Sequence, residues 1–502
     1  MNCAIVGTVG KLTLFVLGLA NLCSSEFRVL CNTPLGTRKI SLSLQQVIEN
    51  MKRILLLFAF LELYIICFAA EKTYSGSLPV LFINTESPVT SKDVYVTGTY
   101  YIDALGLEGY SSLGSAEAPL SLQIKGRGNY TWTGFDKKPY RLKFDKKAQP
   151  LGMKNSKHFT LLAHADDNLG FLRNTVGFEL SRRLGLPYTP EQQPVEVVLN
   201  GSYIGLYMLT DHIRVDANRV NITEQNDGET DPDNITGGWL LEIDNYDDDH
   251  QLRMKESNGQ TLRFTFHSPE VLSDAQNSYI TQYLKDTDAA IHASNKNSTP
   301  WEDFIDMETL VNFYIVQEVM DNAESFHGSC FLYKDRGADS KLHFGPVWDF
   351  GNAYHRGFDK FVYQDPPFGQ NWIGEIARFP RFQEAVKCRW QLFLRDDYAS
   401  LDDFIDSFIA QITAAAASDG KRWPQYSQGN IVDRRNQFKN NLHQKVNFLR
   451  KQWGEAATPI NTVAADSQQR SVWFTLDGRR LTGAPQHSGL YILNGRKVVV
   501  VR

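Results

Sequence analysis

Cysteine is scarce in this 502-residue sequence: there are six, and four of them precede residue 71. The remaining two, Cys330 and Cys388, do not show the close spacing of a zinc site and cannot supply a disulfide framework. They could form one bridge in an oxidising compartment, but we expect two buried thiols that pack as small hydrophobic side chains. The sequence therefore excludes a small domain held together by disulfides.

An excess of positive charge is also lacking. Lys and Arg number 52 against 57 Asp and Glu, which gives a net charge of −5. Without the first 70 residues the counts are 46 and 54, a net charge of −8. Non-specific binding to nucleic acid requires a basic surface. We therefore expect no nucleic-acid partner.

The overall composition is that of a globular protein. Hydrophobic residues make up 42%, charged residues 22% and aromatic residues 12% of the chain, which excludes disorder, collagen and coiled coil. No repeat of solenoid period is visible. The length allows about three domains, or one elaborated catalytic fold with a small appendage.

The first 70 residues are predicted to be a leader. Met51-Lys52-Arg53 begins an apolar run that extends to Phe68 and is followed by Ala69-Ala70, as in a secretory signal peptide. We expect translation from Met51 and cleavage at residues 70–71. The protein would then be exported to the periplasm, the cell surface or the medium. The alternative is a membrane anchor over 54–70, although spanning a bilayer requires about 20 apolar residues.

Periodicity predicts an α+β protein with a β-rich N-terminal part. Short β-branched and aromatic runs begin at Leu78. Val195–Leu199 and Tyr203–Leu209 are joined by Asn200-Gly201, which predicts a hairpin with a two-residue turn. Apolar residues three and four apart predict a helix over Leu169–Leu184, closed by Gly185, and a mainly helical C-terminal half. The helices of that half are predicted at 273–283, 301–320, 380–394 and 401–417.

A smaller β region is predicted at the C-terminus. Residues 456–470 are a predicted linker. Residues 471–502 contain the turn pairs Asp477-Gly478 and Asn494-Gly495 between strand runs. The main domain is therefore expected at 71–455.

One strand supplies candidate phosphate-binding cations, which phosphoryl transfer requires. In the run 137–144, strand alternation places Arg141 and Lys143 on one face and Leu142 and Phe144 on the other. Two cations would then point the same way. The alternative is a solvated strand face.

Glu179 is a candidate partner for a strand lysine. It lies on the helix predicted after Asn168, where a buried glutamate could orient such a lysine. It could equally be a surface residue paired with Arg182 or Arg183. The sequence leaves both possibilities open.

An acidic loop, a hairpin and an acidic strand end follow one another between residues 317 and 352. The loop contains Asn322 and Glu324, the hairpin is predicted over Cys330–Lys334 and Lys341–Asp349, and Asp349 precedes Phe350-Gly351. In protein kinases a catalytic loop with Asp and Asn is followed by an Asp-Phe-Gly sequence whose Asp binds Mg²⁺. Asp-Phe-Gly alone occurs often by chance, so the order of the three parts carries the argument. It indicates a phosphoryl-transfer site.

Taken together, these residues resemble the spore coat protein H (CotH) kinases, a family of atypical secreted or surface protein kinases. The resemblance covers about residues 78–394, and the C-terminal tail is similar to sorting or anchoring modules of Bacteroidetes-type exported proteins. The motifs that carry it are Lys125-Gly126-Arg127-Gly128-Asn129 with Trp132, Lys138–Lys143, Leu161-Leu162-Ala163 with Asp166-Asp167, Leu172-Arg173-Asn174, 198–207, 237–244 and 345–350.

The resemblance implies a kinase-like fold with a reduced N-terminal lobe and a helical C-terminal lobe, with ATP and Mg²⁺ as ligands and Ser or Thr of another protein as acceptor. In that reading, Glu324 engages the acceptor hydroxyl and Glu179 orients Lys143. The residues expected to contact ATP are Arg127, Lys138, Arg141 and Lys143, and those expected at the metal are Asp349, Asn352 and Asn322.

Two positions depart from the family pattern. Asn322-Ala323-Glu324 stands where Asn-x-Asp is usual, and Gly351-Asn352 stands where a second metal-binding Asp or Asn is common. Because glutamate is one methylene longer, its carboxylate could be misplaced by about 1 Å, which can cost about a hundredfold in rate. Asn352 could supply the missing ligand one residue late. The rival hypothesis is therefore a catalytically weak kinase fold that serves as a surface binding or adhesion module for a glycan or a host protein.

Overall fold

The computed structural model describes residues 74–337, 339–364, 371–456, 472–475, 480–486, 489–493 and 496–500. The predicted leader and the predicted linker from residue 457 lie outside these ranges. So do the two turn pairs of the C-terminal tail. All the described strands and helices belong to the unit that comprises residues 76–502.

Seven strands close into a barrel in the order β1-β2-β3-β4-β5-β7-β6. Neighbouring strands are antiparallel, except that β1 pairs with β6 in parallel and closes the barrel. The strands are β1 (Val80–Thr85), β2 (Val96–Asp103), β3 (Leu120–Gly126), β4 (Tyr140–Ala148), β5 (Ser156–Leu162), β6 (Gln192–Leu199) and β7 (Ser202–Asp211).

Strand alternation fills the barrel as the sequence predicts. On β4, Leu142 and Phe144 are buried in the barrel core, whereas Arg141 is half-buried and Lys143 is exposed. Aromatic rings stack inside, for example Tyr100 on Phe144 with centroids 4.1 Å apart. The apolar face of each strand therefore closes the barrel and leaves the polar face outside.

The predicted Asn-Gly hairpin is confirmed by β6 and β7. Asn200 and Gly201 have φ angles of 52° and 74°, the left-handed values that a two-residue hairpin turn of this kind requires at both positions. The Asn200 side chain also accepts a hydrogen bond of 2.7 Å from the Thr85 N–H. The turn is thus tied to the neighbouring strand.

Helix α1 (Tyr130–Gly134) lies between β3 and β4, and helix α2 (Leu172–Arg183) follows β5. The helix predicted from Leu169 begins three residues later, because Phe171 has a left-handed φ of 62°. Its predicted end is confirmed. Gly185 has a φ of 75°, and its N–H donates to the Arg182 carbonyl at 3.1 Å, a glycine-terminated helix end.

A second, antiparallel sheet has the order β12-β11-β8-β10-β9. The predicted hairpin is present as β11 and β12, but its second strand ends at Phe344 and does not reach Asp349. Gly345 has a φ of 122°, and Pro346 has no N–H to donate to the ladder. The strands are β8 (Trp239–Ile243), β9 (Gln251–Lys255), β10 (Thr261–Ser268), β11 (Cys330–Lys334) and β12 (His343–Phe344).

Six further helices are described after β10, which confirms the mixed α+β class and the helical C-terminal half. Together with the second sheet they enclose the largest apolar core. The sequence pattern did not indicate the third and the last of them. They are α3 (Asp274–Ile291), α4 (Met307–Val319), α5 (Trp372–Ile376), α6 (Pro380–Asp396), α7 (Leu401–Arg422) and α8 (Ile431–Trp453).

The two cysteines differ in environment. Both thiols are free; Cys330 is buried on β11 and Cys388 is exposed on α6. The prediction that both are buried is wrong for Cys388, because α6 turns Val386 and Trp390 toward the core and leaves position 388 on the outer side.

The described part of the C-terminal tail is a three-stranded antiparallel sheet of β13 (Trp473–Phe474), β14 (Gly489–Leu493) and β15 (Arg496–Val500). Its strands pair with one another and with neither of the other sheets. Among the helices of the described residues, none is both long enough and apolar enough to cross a membrane.

Candidate functional site

Many polar and charged side chains line a cavity of about 1020 Å³. The segments that border it include the end of β3 with α1, the start of β4, the loop between β5 and α2, the end of β8, the loop after α4, and the segment after β12. Ligand pockets commonly have volumes of about 300–1,000 Å³. The cavity is therefore large enough for a nucleotide with part of a second substrate.

One wall of the cavity is cationic. Lys125 and Arg141 are paired across β3 and β4, and Arg127 follows two residues after Lys125. Burial, with the charge of Arg141 next, lowers the pKa of Lys125. Burial also lowers the pKa of Arg127, although Asp349 acts in the opposite direction. Cations held this closely are stabilised by an anionic ligand.

Two of the four predicted phosphate contacts, Arg127 and Arg141, line this wall. The Nε–H of Arg141 is buried and donates to none of the described residues, which leaves a donor available to a ligand. The Arg127 guanidinium lies 5.4 Å from the Trp348 ring centroid, which fixes its direction toward the cavity.

The other two, Lys138 and Lys143, lie outside the cavity lining. Lys143 is exposed, two residues beyond Arg141 on the same face, because the strand continues away from the cavity by about 7 Å over that distance. Lys138 donates to the Trp132 carbonyl at 2.7 Å and lies over its indole ring. Because both side chains lie on the same face of β4, strand alternation could not predict that Arg141 lines the cavity and Lys143 does not.

Glu179 does not contact Lys143, which corrects the predicted pairing. Its carboxylate accepts from Arg183 at 2.7 Å and from Arg182 at 2.9 Å. This is the surface pairing that the sequence left open. Because both partners lie three and four residues further along α2, helix geometry brings them together without any tertiary contact.

Carboxylates line another part of the cavity, called the acidic wall below: Asp349, Glu324, Asp166 and Asp244. Burial, and after it the charge of Asp349, raises the pKa of both Glu324 and Asp166. Burial and the charge of Glu242 raise the pKa of Asp244 to about 6. Carboxylates that repel one another in this way are stabilised by a cation placed between them.

The Asp349 backbone is held by two asparagines. Asn322 donates to the Asp349 carbonyl at 3.2 Å, and Asn174 on α2 accepts from the Phe350 N–H at 2.8 Å. Asp349 has a left-handed φ of 52°, a conformation that its surroundings must maintain. Asn322 is buried and does not line the cavity. The Asn322 amide thus contacts the Asp349 backbone, and the role of Asn322 as a metal ligand stays a prediction.

Glu324 is fixed by two amide groups. Asn245 donates to its Oε1 at 2.7 Å, and Asn352 donates to its Oε2. Asn352 is exposed in the cavity, close to Asp349 in the chain. The structure thus brings three predicted residues together here: Glu324, Asp349 and Asn352.

A buried lysine supports the acidic loop from outside the cavity. Lys445 on α8 contacts Asp321 at 2.8 Å and Glu318 at 3.2 Å. Burying a charge is costly unless it is paired, so this cluster fixes the end of α4 just before Asn322. Sequence reasoning missed Lys445, because only the tertiary fold brings α8 to this loop.

Sequence reasoning also left Lys125 and Asp166 out of the site, although both occur in motifs that carried the family resemblance. Asp166 lies beside Asp167, and adjacent carboxylates after a buried strand were the available signal. The two behave differently. Burial tends to raise the pKa of Asp167, but the His164 hydrogen bond and the Arg173 charge bring it below its usual value. Both residues line the cavity, but Asp166 is the one whose Oδ2 lies beside the space at Gly351.

The two walls together fit a nucleotide and a divalent cation. The cationic wall is suited to phosphate oxygens, and the carboxylates of the acidic wall are the hard oxygen ligands that Mg²⁺ and similar ions take. A Cβ placed on Gly351 would lie 3.1 Å from Asp349 Oδ1 and 3.2 Å from Asp166 Oδ2. These oxygens therefore face a common space that a side chain at position 351 would fill.

A family model described as CotH kinase protein matches residues 124–453. This range runs from β3 to the end of α8 and includes every residue assigned above to the two walls. A search of curated proteins found no match.

Proposed function

Because the chain belongs to the CotH kinase family, we propose that it is an exported atypical protein kinase that phosphorylates Ser or Thr of a surface or secreted protein. Membership of the family implies a kinase-like function with ATP and a divalent metal ion. The observation that carries the proposal is the cavity, whose lining combines a group of cations with a group of carboxylates. A glycan-binding platform would require neither wall.

The cationic wall would bind the phosphates. Arg127 and Arg141 present guanidinium groups, which match phosphate oxygens in pairs, and Lys125 adds a point charge. In a phosphoryl-transfer transition state negative charge spreads over the equatorial oxygens. Cations already fixed around that position stabilise it without having to reorganise.

The acidic wall would hold the metal ion, for which we propose Mg²⁺. Bound there, the ion would neutralise phosphate charge and orient the phosphates. Asp349 is the principal ligand in this proposal, and Asn352 is close enough in the chain to assist. Asn322 would act through the Asp349 backbone.

Glu324 would orient the acceptor hydroxyl and accept its proton. Its raised pKa moves the carboxylate toward the range in which a general base works best near neutral pH. Asn245 and Asn352 limit its motion. This fixed position could offset the longer side chain relative to the aspartate that is usual in the family.

One observation favours the alternative, a catalytically weak kinase fold that acts as a surface binding or adhesion module. Both oxygens of Glu324 accept hydrogen bonds from amide groups, so the carboxylate is already part of a network. A glutamate retained only to hold the loop after α4 would show the same contacts. The two functions differ in what substitutions at the acidic wall do.

Two substitutions separate the functions. Asp349→Asn removes a charged ligand and should weaken Mg²⁺-dependent binding of an ATP analogue at least tenfold, measured by calorimetry. Glu324→Gln should spare that binding but lower phosphoryl transfer about a hundredfold, because the carboxylate acts mainly in the transition state.

Glu324→Asp tests the side-chain length. It should raise the transfer rate if the extra methylene of glutamate misplaces the carboxylate. It should lower the rate if Asn245 and Asn352 hold the longer glutamate side chain in the productive position. Radiolabelled ATP with a Ser-rich acceptor would measure the rate. If the wild type binds no nucleotide with Mg²⁺ and Asp349→Asn changes nothing, the kinase proposal fails and the binding module replaces it.

A further inference from the structure

We infer that Asp166 is the second carboxylate of the divalent-cation site and occupies the space left by the missing side chain of residue 351. The inference rests on the proposed function, since the cation is that of the kinase reaction. It concerns a residue outside both of the motifs that resemble a kinase catalytic loop and an Asp-Phe-Gly sequence.

The geometry at Gly351 carries the inference. A Cβ there would meet Asp349 Oδ1 at 3.1 Å and Asp166 Oδ2 at 3.2 Å, so the two oxygens are at most about 6.3 Å apart, the sum of these distances. A Cβ at 351 would require these oxygens to move by a few tenths of an ångström. Because glycine has no side chain, it leaves room for a carboxylate that another segment contributes.

The loop between β5 and α2 is built to present Asp166. Asp167 accepts from the Leu169 N–H at 2.7 Å, and Gln428 donates to the Asp167 carbonyl and accepts from the Gly170 N–H. These contacts fix the residues on one side of Asp166. Ligands held by such an outer layer of hydrogen bonds bind metal ions with less reorganisation.

The nearest arginine does not neutralise Asp166. Arg173 directs its guanidinium to Asp167 at 3.6 Å, to Asn168 at 3.1 Å and to the Ala353 carbonyl at 2.9 Å; its contact with Asp166 is to the backbone carbonyl. Asp166 and Asp349 therefore face the same space as two acids. A divalent cation between them would balance the negative charge of both carboxylates.

The test removes the carboxylate at residue 166 and then introduces one at residue 351. Asp166→Ala should weaken Mn²⁺ binding at least tenfold, measured by electron paramagnetic resonance with and without a non-hydrolysable ATP analogue. Asp166→Ala also clears space at Gly351, so the double variant Asp166→Ala/Gly351→Asp should bind Mn²⁺ within about threefold of the wild type.

Two controls accompany the exchange. Asp166→Ala/Gly351→Ala supplies the Cβ without the carboxylate and should not restore binding. Asp145→Asn removes a carboxylate of β4 that does not line the cavity and should leave Mn²⁺ affinity unchanged. Circular dichroism of each variant establishes that it is folded.

The outcomes separate this inference from the proposed function. If Asp166→Ala binds Mn²⁺ as tightly as the wild type, or no form binds Mn²⁺, the inference is overturned. If Asp166→Ala binds Mn²⁺ as tightly as the wild type but nucleotide binding still requires Mg²⁺ and Asp349, the proposed function is supported without this inference. If the exchange restores Mn²⁺ binding but no form binds nucleotide, the cation site stands and the proposed function fails.

Discussion

Individual residues of this site differ in role according to how far along an element they lie. Arg141 and Lys143 share one face of β4, yet only Arg141 lines the cavity. Asp166 and Asp167 are adjacent, yet Asp167 is hydrogen-bonded within its own loop and Asp166 faces Asp349. A displacement of one or two residues therefore changes what a charged side chain contacts.

The pair on β4 gives a matched test. Arg141→Ala should weaken binding of an ATP analogue by about tenfold or more, since a hydrogen bond to a charged group is worth about 1.5–3 kcal/mol. Lys143→Ala removes the same charge two residues away and should change the affinity less than about twofold. Calorimetric titration of both variants measures this. Equal losses would show that Lys143 reaches the nucleotide after all.

At the scale of elements, close packing between α2 and the segment after β12 fixes the acidic wall. Gly177 lies on α2 against the Phe350 ring, and a Cβ at position 177 would come within 2.3 Å of that ring. Phe350 is fully buried and packs edge-on against Phe178. The absence of a side chain at Gly177 thus lets Asp349 sit beside α2.

Gly177→Ala should therefore destabilise the protein by about 1–3 kcal/mol through overpacking, although alanine is ordinarily the better helix residue by about 1 kcal/mol. The displaced Phe350 should also weaken Mg²⁺-dependent nucleotide binding. Gly134→Ala is the control, because its Cβ would make only an ordinary contact of 3.4 Å with Tyr130. Chemical denaturation measures both variants. A Gly177→Ala protein as stable as the wild type would mean that Phe350 can move at little cost.

At the scale of the whole molecule, a closed barrel, a five-stranded sheet and the helices after β10 each contribute to one cavity. The barrel supplies the cations, and the sheet with its following loops supplies most of the acids. Helix α8 supports the acidic loop through Lys445. Since these contributions come from residues more than 300 positions apart, the site exists only in the complete fold.

Export is a proposal about the whole molecule that rests on the leader. The cationic start at Met51-Lys52-Arg53 and the small pair Ala69-Ala70 predict a mature N-terminus at Ala70 or Glu71. N-terminal sequencing of the protein recovered from outside the cytoplasm measures this. A membrane-retained protein that still begins at Met1 would contradict both the start and the cleavage.

The sequence by itself determined the local features. Strand alternation on β4, the Asn200-Gly201 turn and the end of α2 at Gly185 follow from period and turn chemistry, because these depend on neighbours a few residues away. The motif order also pointed to Glu324, Asp349 and Asn352 as parts of one site. Boundaries set by distant contacts, such as the early end of β12, were not predictable in this way.

Only the tertiary structure decided which charged residues meet. It excluded Lys143 and Lys138 from the cavity lining, kept Lys143 apart from Glu179, and placed the Asn322 amide on the Asp349 carbonyl. It also added Lys125, and it placed Asp166 beside the space at Gly351. The physical reason is that a charge acts over a few ångströms of space, whereas the sequence records only separation along the chain.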